Sequence, residues 1–385
     1  MTATSCEFAP AADKALLQTP LYALHLELGA RMVPFAGYVL PVQYPAGLVA
    51  EHRHTRQAAS LFDVSHMGQV RVAGLGAAAA LESLMPIDLL GLAAGRQRYG
   101  LLLSDGGSIL DDLMVFKSGD EDFFLIVNGA CKANDLAHLQ ARIGQRCSVQ
   151  ALPDLALLAL QGPQAASALQ RLAPGVEQLV FMSGGTFDVN GHACLVTRSG
   201  YTGEDGFEIS IPAEHAEALA RTLLVQPEVK PAGLGARNSL RLEAGLCLYG
   251  TDMDATTTPV EASLSWAIPK VRRTGGARAG GFPGADFVLG QLDDPLLATR
   301  RRVGLLATER VPVREPARLE NMDGQHIGDV TSGLLSPSLN QPIALGFVKP
   351  DYTRPGTELF AMVRGKPVPM VVTATPFVPA HYYRG

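Results

Sequence analysis

"YGLLLSDGGSILDDLMVFKSGDEDFFLIVN", residues 99–128, is the stretch on which the architecture turns. It reads as a three-stranded meander: "YGLLL", the turn "SDGGS", the strand "ILDDLMVF", a polar turn "KSGDED", and "FFLIVN". A Gly-Gly pair between apolar runs is hairpin chemistry, because tight turns need positive φ. The middle strand carries two adjacent carboxylates, which alternation sends to opposite faces. Asp112, Met114 and Phe116 share one face and Asp111, Leu113 and Val115 the other. If the Asp112 face lines a cavity, its carboxyl stands beside a thioether and an aromatic ring. Partial desolvation there raises its pKa and makes it a better proton acceptor or partner for a bound amine. The plainer alternative is a solvated pair near the strand's start, and alternation alone does not choose between the two aspartates.

Outward from the meander, "LALLAL" (155–160) reads as a strand and "QGPQAASALQRL" as a helix, with Pro163 suited to a first helical position and Leu169 and Leu172 beginning its apolar stripe. "GYTGEDGFEISIP" (200–212) is a glycine-rich turn feeding a strand, and "AEHAEALARTLL" a helix with Ala216, Leu219, Ala220 and Leu223 on one face. Residues 271–302, rich in glycine and arginine, are the candidate linker. Beyond it "RVGLLA", "IGDVTSG", "IALGFV", "ELFAMV" and "PMVVTA" suggest a small antiparallel barrel or sandwich. Helices and strands mix without a regular parallel rhythm, so the expected class is α+β with an all-β C-terminal domain.

Composition narrows the function classes. The 385 residues are 47% hydrophobic and 18% charged with a net charge of −5, which fits a soluble protein of two or three domains and excludes a basic nucleic-acid surface. No run reaches the length of a membrane span, and "MTATSCEFAPAADKALLQTP" lacks the features of a secretory signal or transit peptide. Five scattered cysteines without a CxxC pair indicate neither a disulfide framework nor a zinc site. The expectation is a cytoplasmic protein with no nucleic-acid or membrane partner and no metal.

Other constellations are weighed by the same geometry. In "GFEISIP" Glu208 alternates with Phe207, Ile209 and Ile211, so it points away from the core toward water or a ligand cavity. In "GLGARNSLRLEAGLCLYG" (233–250) a helix brings Arg237, Leu240, Arg241 and Ala244 to one side. Arg237, in its first turn, could clamp a carboxylate or simply form a surface ion pair. Gly74, Gly76 and Ala79 imitate a dinucleotide turn but lack its βαβ context. His52 and His54, two apart on a helix, point to different sides and make a poor metal pair.

The ordered set "TPLYALHLELGARMVPFAGYVLPVQY" (19–44), "SLFDVSHMGQV" (60–70), "ILDDLMVF", "ALQGPQA" (159–165), "RSGYTGEDGFEIS" (198–210), "GLGARNSLRLEAGLCLYGTDMD" (233–254), "TPVEASLSWAI" (258–268) and "IGDVTSGLLSPSLNQPIALGFV" (327–348) resembles the aminomethyltransferase, or T-protein, family of the glycine cleavage system. The resemblance runs collinearly from about residue 19 to the terminal "FVPAHYY". It implies a three-domain cloverleaf around a central folate channel: a folate-binding region of two intertwined subdomains over 19–270, the linker 271–302 and a β-barrel over 303–385. It also implies transfer of an aminomethyl carbon from lipoylated H-protein to tetrahydrofolate, giving methylenetetrahydrofolate, ammonia and dihydrolipoyl H-protein.

Carried over residue by residue, the resemblance makes Asp112 the working carboxylate beside the folate nitrogens. Folate contacts fall on Tyr99, Met114, Asn128, Tyr201, Glu208, Arg237, Trp266 and Tyr382, with Glu208 on the donor edge of the pterin and Tyr382 closing the site. The chain departs from the pattern at Asn238, where the family has aspartate, at Ser108 and at Tyr38. Relatives of the fold leave two alternatives. One is a stand-alone folate-dependent demethylase, since no flavin domain precedes the match. The other is an iron-sulfur assembly factor, whose "KGCYxGQ" segment is replaced here by "EAGLCLYGTDMD".

Overall fold

The computed structural model describes residues 15–385, so Cys6 and most of the stretch read for a targeting signal lie outside the described residues. The meander forms as Gln97–Leu103, Ile109–Gly119 and Asp122–Val127, all antiparallel. In its first turn Gly107 takes φ 85°, and a Cβ there would come within 2.8 Å of the Val288 side chain. Glycine is therefore needed both for the turn and for the close approach of the helix Ala285–Asp293. The second turn is shorter than the sequence suggests. The middle strand continues through Lys117 to Gly119, which pair with Phe123 and Asp122 of the third strand, and the Lys117 ammonium reaches the Leu89 carbonyl.

Gly68–Ala73 and Ser148–Ala151 complete this as a five-stranded antiparallel sheet. A second sheet has six strands in the order Ser183–Val189, His192–Arg198, Gly206–Pro212, Leu155–Gln161, Ala59–Asp63 and Val229–Pro231, antiparallel except for the last pair. On its outer face the helix Ala213–Leu224 buries Ala216, Leu219, Ala220 and Leu223, the four residues of the expected stripe. The helix after "LALLAL" covers only Ala165–Leu169. Pro163 precedes it by two residues and sits in the turn, outside the first helical position. The inner faces of the two sheets meet through Phe62, Phe116, Phe124, Ile126, Leu157 and Ala159, with Leu240 from the helix Leu234–Glu243.

Six strands close the C-terminal barrel in the order Arg301–Ala307, Pro342–Val348, His326–Leu335, Ala317–Glu320, Glu358–Val363 and Lys366–Thr373, the last pairing with the first. Sequence reading found five of them. It missed Ala317–Glu320, whose two buried residues, Ala317 and Leu319, are too few to stand out beside Arg318 and Glu320. The overall class is α+β, three β units with helices packed around them.

Residues 271–302 connect the sheets to the barrel and are more ordered than their composition suggests. Phe282 and Val288 enter a core with Leu101, Leu103 and Ile109. Arg272 and Arg302, within this glycine- and arginine-rich stretch, are buried. Arg272 pairs with Glu82 at 2.5 Å and donates to the carbonyls of Ile87 and Gly280, while Arg302 donates to the Ala262 carbonyl at 2.8 Å. A planar guanidinium carries five donors, so backbone carbonyls can satisfy it inside a protein. The Gly74–Gly76 turn leads into the helix Ala77–Glu82 from a strand with antiparallel neighbours, not a dinucleotide unit.

Candidate active site

Between the two sheets, the helix Leu234–Glu243 and the barrel lies a cavity of about 970 Å³. Its walls include all nine residues singled out from the sequence: Tyr99, Asp112, Met114, Asn128, Tyr201, Glu208, Arg237, Trp266 and Tyr382. Strand phase explains the contribution of the meander. Leu113 and Val115 pack into the core behind the five-stranded sheet while Asp112 and Met114 face the cavity. Phe116 shares their face but is absorbed in the core between the sheets, so the ring beside Asp112 is that of Tyr99, from the neighbouring strand.

The two aspartates serve different ends. Asp111 is fully buried and accepts bonds from the Asn128 backbone N–H (3.0 Å) and side-chain amide (2.9 Å). The same amide donates to Asp112 Oδ1 at 2.7 Å, and the Tyr99 hydroxyl donates to Asp112 Oδ2 at 3.0 Å. Burial and the neighbouring Asp111 charge raise the Asp112 pKa to about 7, against the pull of those two bonds. A carboxyl that exchanges its proton near neutrality is suited to general acid–base work. Tyr99 is in turn stacked on Trp266, ring centres 5.2 Å apart, and Trp266 is 62% exposed at the edge of the cavity.

Glu208 also faces inward, while Phe207, Ile209 and Ile211 on either side are buried in the core of the six-stranded sheet. It accepts from the Ser199 hydroxyl at 3.0 Å. Burial pushes its pKa up and the Arg237 charge pulls it down. Among the described residues Arg237 forms no ion pair, so it is not the surface salt bridge that was one of its two readings. Its guanidinium lies 4.7 Å from the centre of the Tyr201 ring, and its buried Nη1 has no hydrogen-bond partner. A buried donor without an acceptor is costly unless a bound molecule supplies one. Tyr201 is fixed by donating its hydroxyl to the Cys247 carbonyl. Asn238, where the family has aspartate, accepts from Arg241 instead of Arg237, and Arg241 finds its charge partner in Asp252 at 2.5 Å.

Several lining groups were not found from the sequence. Phe181 stacks on Tyr382 with ring centres 4.0 Å apart. His66 is kept neutral by burial and by the Arg237 and Lys132 charges, which push its pKa down to about 3. Ser199 and His66 lay within quoted motifs, but nothing in a sequence marks Phe181 as meeting a residue 201 positions away. Ala36, Met182 and Ser263, all on the cavity wall, adopt positive φ of 48°, 63° and 57°. Such strain collects where the surrounding structure dictates the backbone path.

The GCVT N-terminal domain family matches residues 21–272, and the glycine cleavage T-protein C-terminal barrel domain family matches residues 300–379. The chain belongs to the glycine cleavage T-protein family. Among the relatives of this T-protein family member is the mitochondrial aminomethyltransferase of Homo sapiens, 46% identical across 98% of this chain and 94% of that protein. The corresponding protein of Dictyostelium discoideum is 42% identical across 95% and 94%. The crystal structure of the glycine cleavage system aminomethyltransferase T from Bartonella henselae superposes with a TM-score of 0.90 at 43% identity, covering 96% of this chain and all of that one. Among the described residues no helix is long and apolar enough to cross a membrane, and no three metal-ligating side chains cluster to hold an ion.

Proposed function

We propose that the chain transfers the aminomethyl carbon from lipoylated H-protein to tetrahydrofolate, producing 5,10-methylenetetrahydrofolate, ammonia and dihydrolipoyl H-protein. The observation that carries this reading is Asp112, a carboxyl with a pKa near 7 on the wall of a large, aromatic-lined cavity in a T-protein family member. The cavity is large enough for a folate-sized molecule, and its partnerless Arg237 Nη1 is the kind of group a bound ring carbonyl satisfies. Tetrahydrofolate supplies the nucleophilic nitrogens that receive the carbon.

The protein's own groups do the rest. Glu208, backed by Ser199, offers carboxylate oxygens to the donor edge of the pterin, and Arg237 stands beside it. Tyr99, Met114, Tyr201, Trp266 and Tyr382 supply apolar and aromatic walls, and Asn128 with Tyr99 fixes the orientation of Asp112. Asp112 takes up the proton lost from the folate nitrogen as the new carbon–nitrogen bond forms. The surrounding walls keep out water that would divert the one-carbon unit.

Cys247 argues against the assembly-factor alternative, since burial pushes its thiol up to about 12, too high for a reactive cysteine. We also propose a reducing, cytoplasmic setting, supported by the absence of disulfides among the four described cysteines, although the curated relatives are named as mitochondrial. The division into 19–270, 271–302 and 303–385 is likewise proposed, supported by the inter-sheet core that ties the first region together.

The test incubates the protein with tetrahydrofolate and aminomethyl-loaded H-protein and measures ammonia and methylenetetrahydrofolate. Both products should form in equal amounts. Their absence, together with methyl transfer from a small methylated donor, would instead establish a demethylase.

A further inference from the structure

After the barrel's last strand the chain runs from Ala374 to Gly385 without regular secondary structure, crossing back to the six-stranded sheet. Backbone hydrogen bonds tie it down at three points, and the Arg198 guanidinium lies over the Tyr383 ring at 4.2 Å. At its root the Phe377 and Val378 amides donate to the Glu243 carbonyl at 2.9 and 3.0 Å. Further on, the His381 amide donates to the Gly203 carbonyl at 2.8 Å, and the Phe181 amide donates to the Tyr383 carbonyl at 2.7 Å. Between the last two sits Tyr382, flat on Phe181 and on the cavity wall.

A hydrogen-bonded chain underlies the middle tie, running from the exposed His381 ring to the buried Glu204 and the mostly buried Arg56. His381 Nδ1 lies 3.0 Å from Glu204, which is 2% exposed and accepts from Arg56 Nη1 at 2.9 Å. The other arm of Arg56 donates to Glu243 at 2.8 Å, and that carboxylate also accepts from the Ser338 hydroxyl (2.7 Å) and amide (3.0 Å) of the barrel. One guanidinium thus bridges the carboxylate that holds the barrel and the carboxylate that holds the strap. Only its planar two-armed fork spans both.

We propose that Arg56, Glu204 and His381 are positioning residues for the bound substrate, holding the C-terminal strap so that Tyr382 forms one wall of the cavity. The role as a wall for tetrahydrofolate rests on the function proposed above; the holding of the strap does not. The three residues act through Tyr382. Loosening them removes a wall while leaving the Asp112, Tyr99 and Asn128 cluster intact.

The test uses the full-length protein with His381→Ala, Arg56→Met and the conservative His381→Asn, whose amide can stand in for Nδ1. Hydrogen exchange reads the strap without any ligand. In both disruptive variants, peptides containing the amides of Phe181 and His381 should exchange about tenfold faster, while those of Phe377 and Val378 stay protected. Quenching of Trp266, the single tryptophan, reads tetrahydrofolate binding. In His381→Ala the dissociation constant should rise about tenfold, with kcat at saturation within about twofold of the parent and Tm within about 2 °C. His381→Asn should recover most of the loss. Unchanged exchange around Phe181 and His381 in His381→Ala would overturn the proposal whether or not Arg56→Met folds. Faster exchange with unaltered affinity would overturn the role of Tyr382 as a substrate wall. A parent protein that transferred carbon from H-protein to no folate at all would instead fail the proposed function, leaving the exchange result to stand by itself.

Discussion

Asp112, the carboxyl proposed to take up the folate proton, also carries a cost. Its folded pKa of about 7 stands above the 3.8 of an unperturbed aspartate, so the folded protein binds its proton more tightly than the unfolded chain does. The stability this group contributes is full below pH about 4 and is lost as pH rises toward 7. Asp112→Asn removes that titration. The stability of Asp112→Asn relative to the parent should therefore increase with pH between about 4 and 7, by up to about 1.4 kcal/mol per pH unit, and level off above. Denaturant titrations of both proteins at pH 5, 6 and 8 check the sign. The same substitution should reduce turnover about 10²- to 10⁴-fold while tetrahydrofolate still binds. Parent-like turnover in Asp112→Asn would remove Asp112 from the mechanism. Tyr99→Phe takes away a donor that favours the charged carboxylate, which moves the Asp112 pKa upward. The acid limb of the pH–rate profile should shift to higher pH in that variant, and a shift to lower pH would contradict the hydrogen bond's direction.

At the scale of the element, alternation sorted most side chains correctly. It separated Asp112 and Met114 from Asp111, Leu113 and Val115, and Glu208 from Phe207, Ile209 and Ile211, because a pleated strand has only two faces. It could not decide which exposed-looking face met water and which met a cavity, since that depends on what packs opposite. Phe116 illustrates the limit: it shares a face with Asp112, yet the second sheet covers it. The hairpin Arg31–Phe35 and Tyr38–Gln43 turns through Ala36 and Gly37 at φ 48° and 81°. A two-residue turn of that type favours Asn or Gly at its first position, and alanine there bears a left-handed backbone. Ala36→Gly should raise stability by about 1 kcal/mol, read as a higher denaturant midpoint at constant m.

Across the whole molecule, the barrel is joined to the sheets by buried polar groups as well as by apolar contact. Asp252 accepts from Arg241 in the buried helix, from the Leu248 amide on the cavity wall and from Thr331 in the barrel strand His326–Leu335. Asp252→Ala strands the Arg241 guanidinium in the interior and should cost about 3–5 kcal/mol, measured by chemical denaturation. A cost below about 1 kcal/mol would show that water or Asn238 can replace the carboxylate. Arg272 and Arg302 follow the same logic from within a segment whose composition reads as solvated, because composition counts charges and cannot count the carbonyls waiting for them.

By itself the sequence determined the strands and helices with clear periodicity, the faces of those strands, five of the six barrel strands and, through the order of its motifs, the family. These are local or collinear properties, legible because side-chain period follows backbone geometry. The tertiary structure alone decided that Phe181 joins the nine residues from Tyr99 to Tyr382 at the cavity wall, that Arg237 lies on Tyr201 with an unmet donor, and that Arg56 links barrel and strap. Those facts depend on contacts between residues far apart in the chain, and on a low-dielectric enclosure that exists only once both sheets, the helix and the barrel have closed around it.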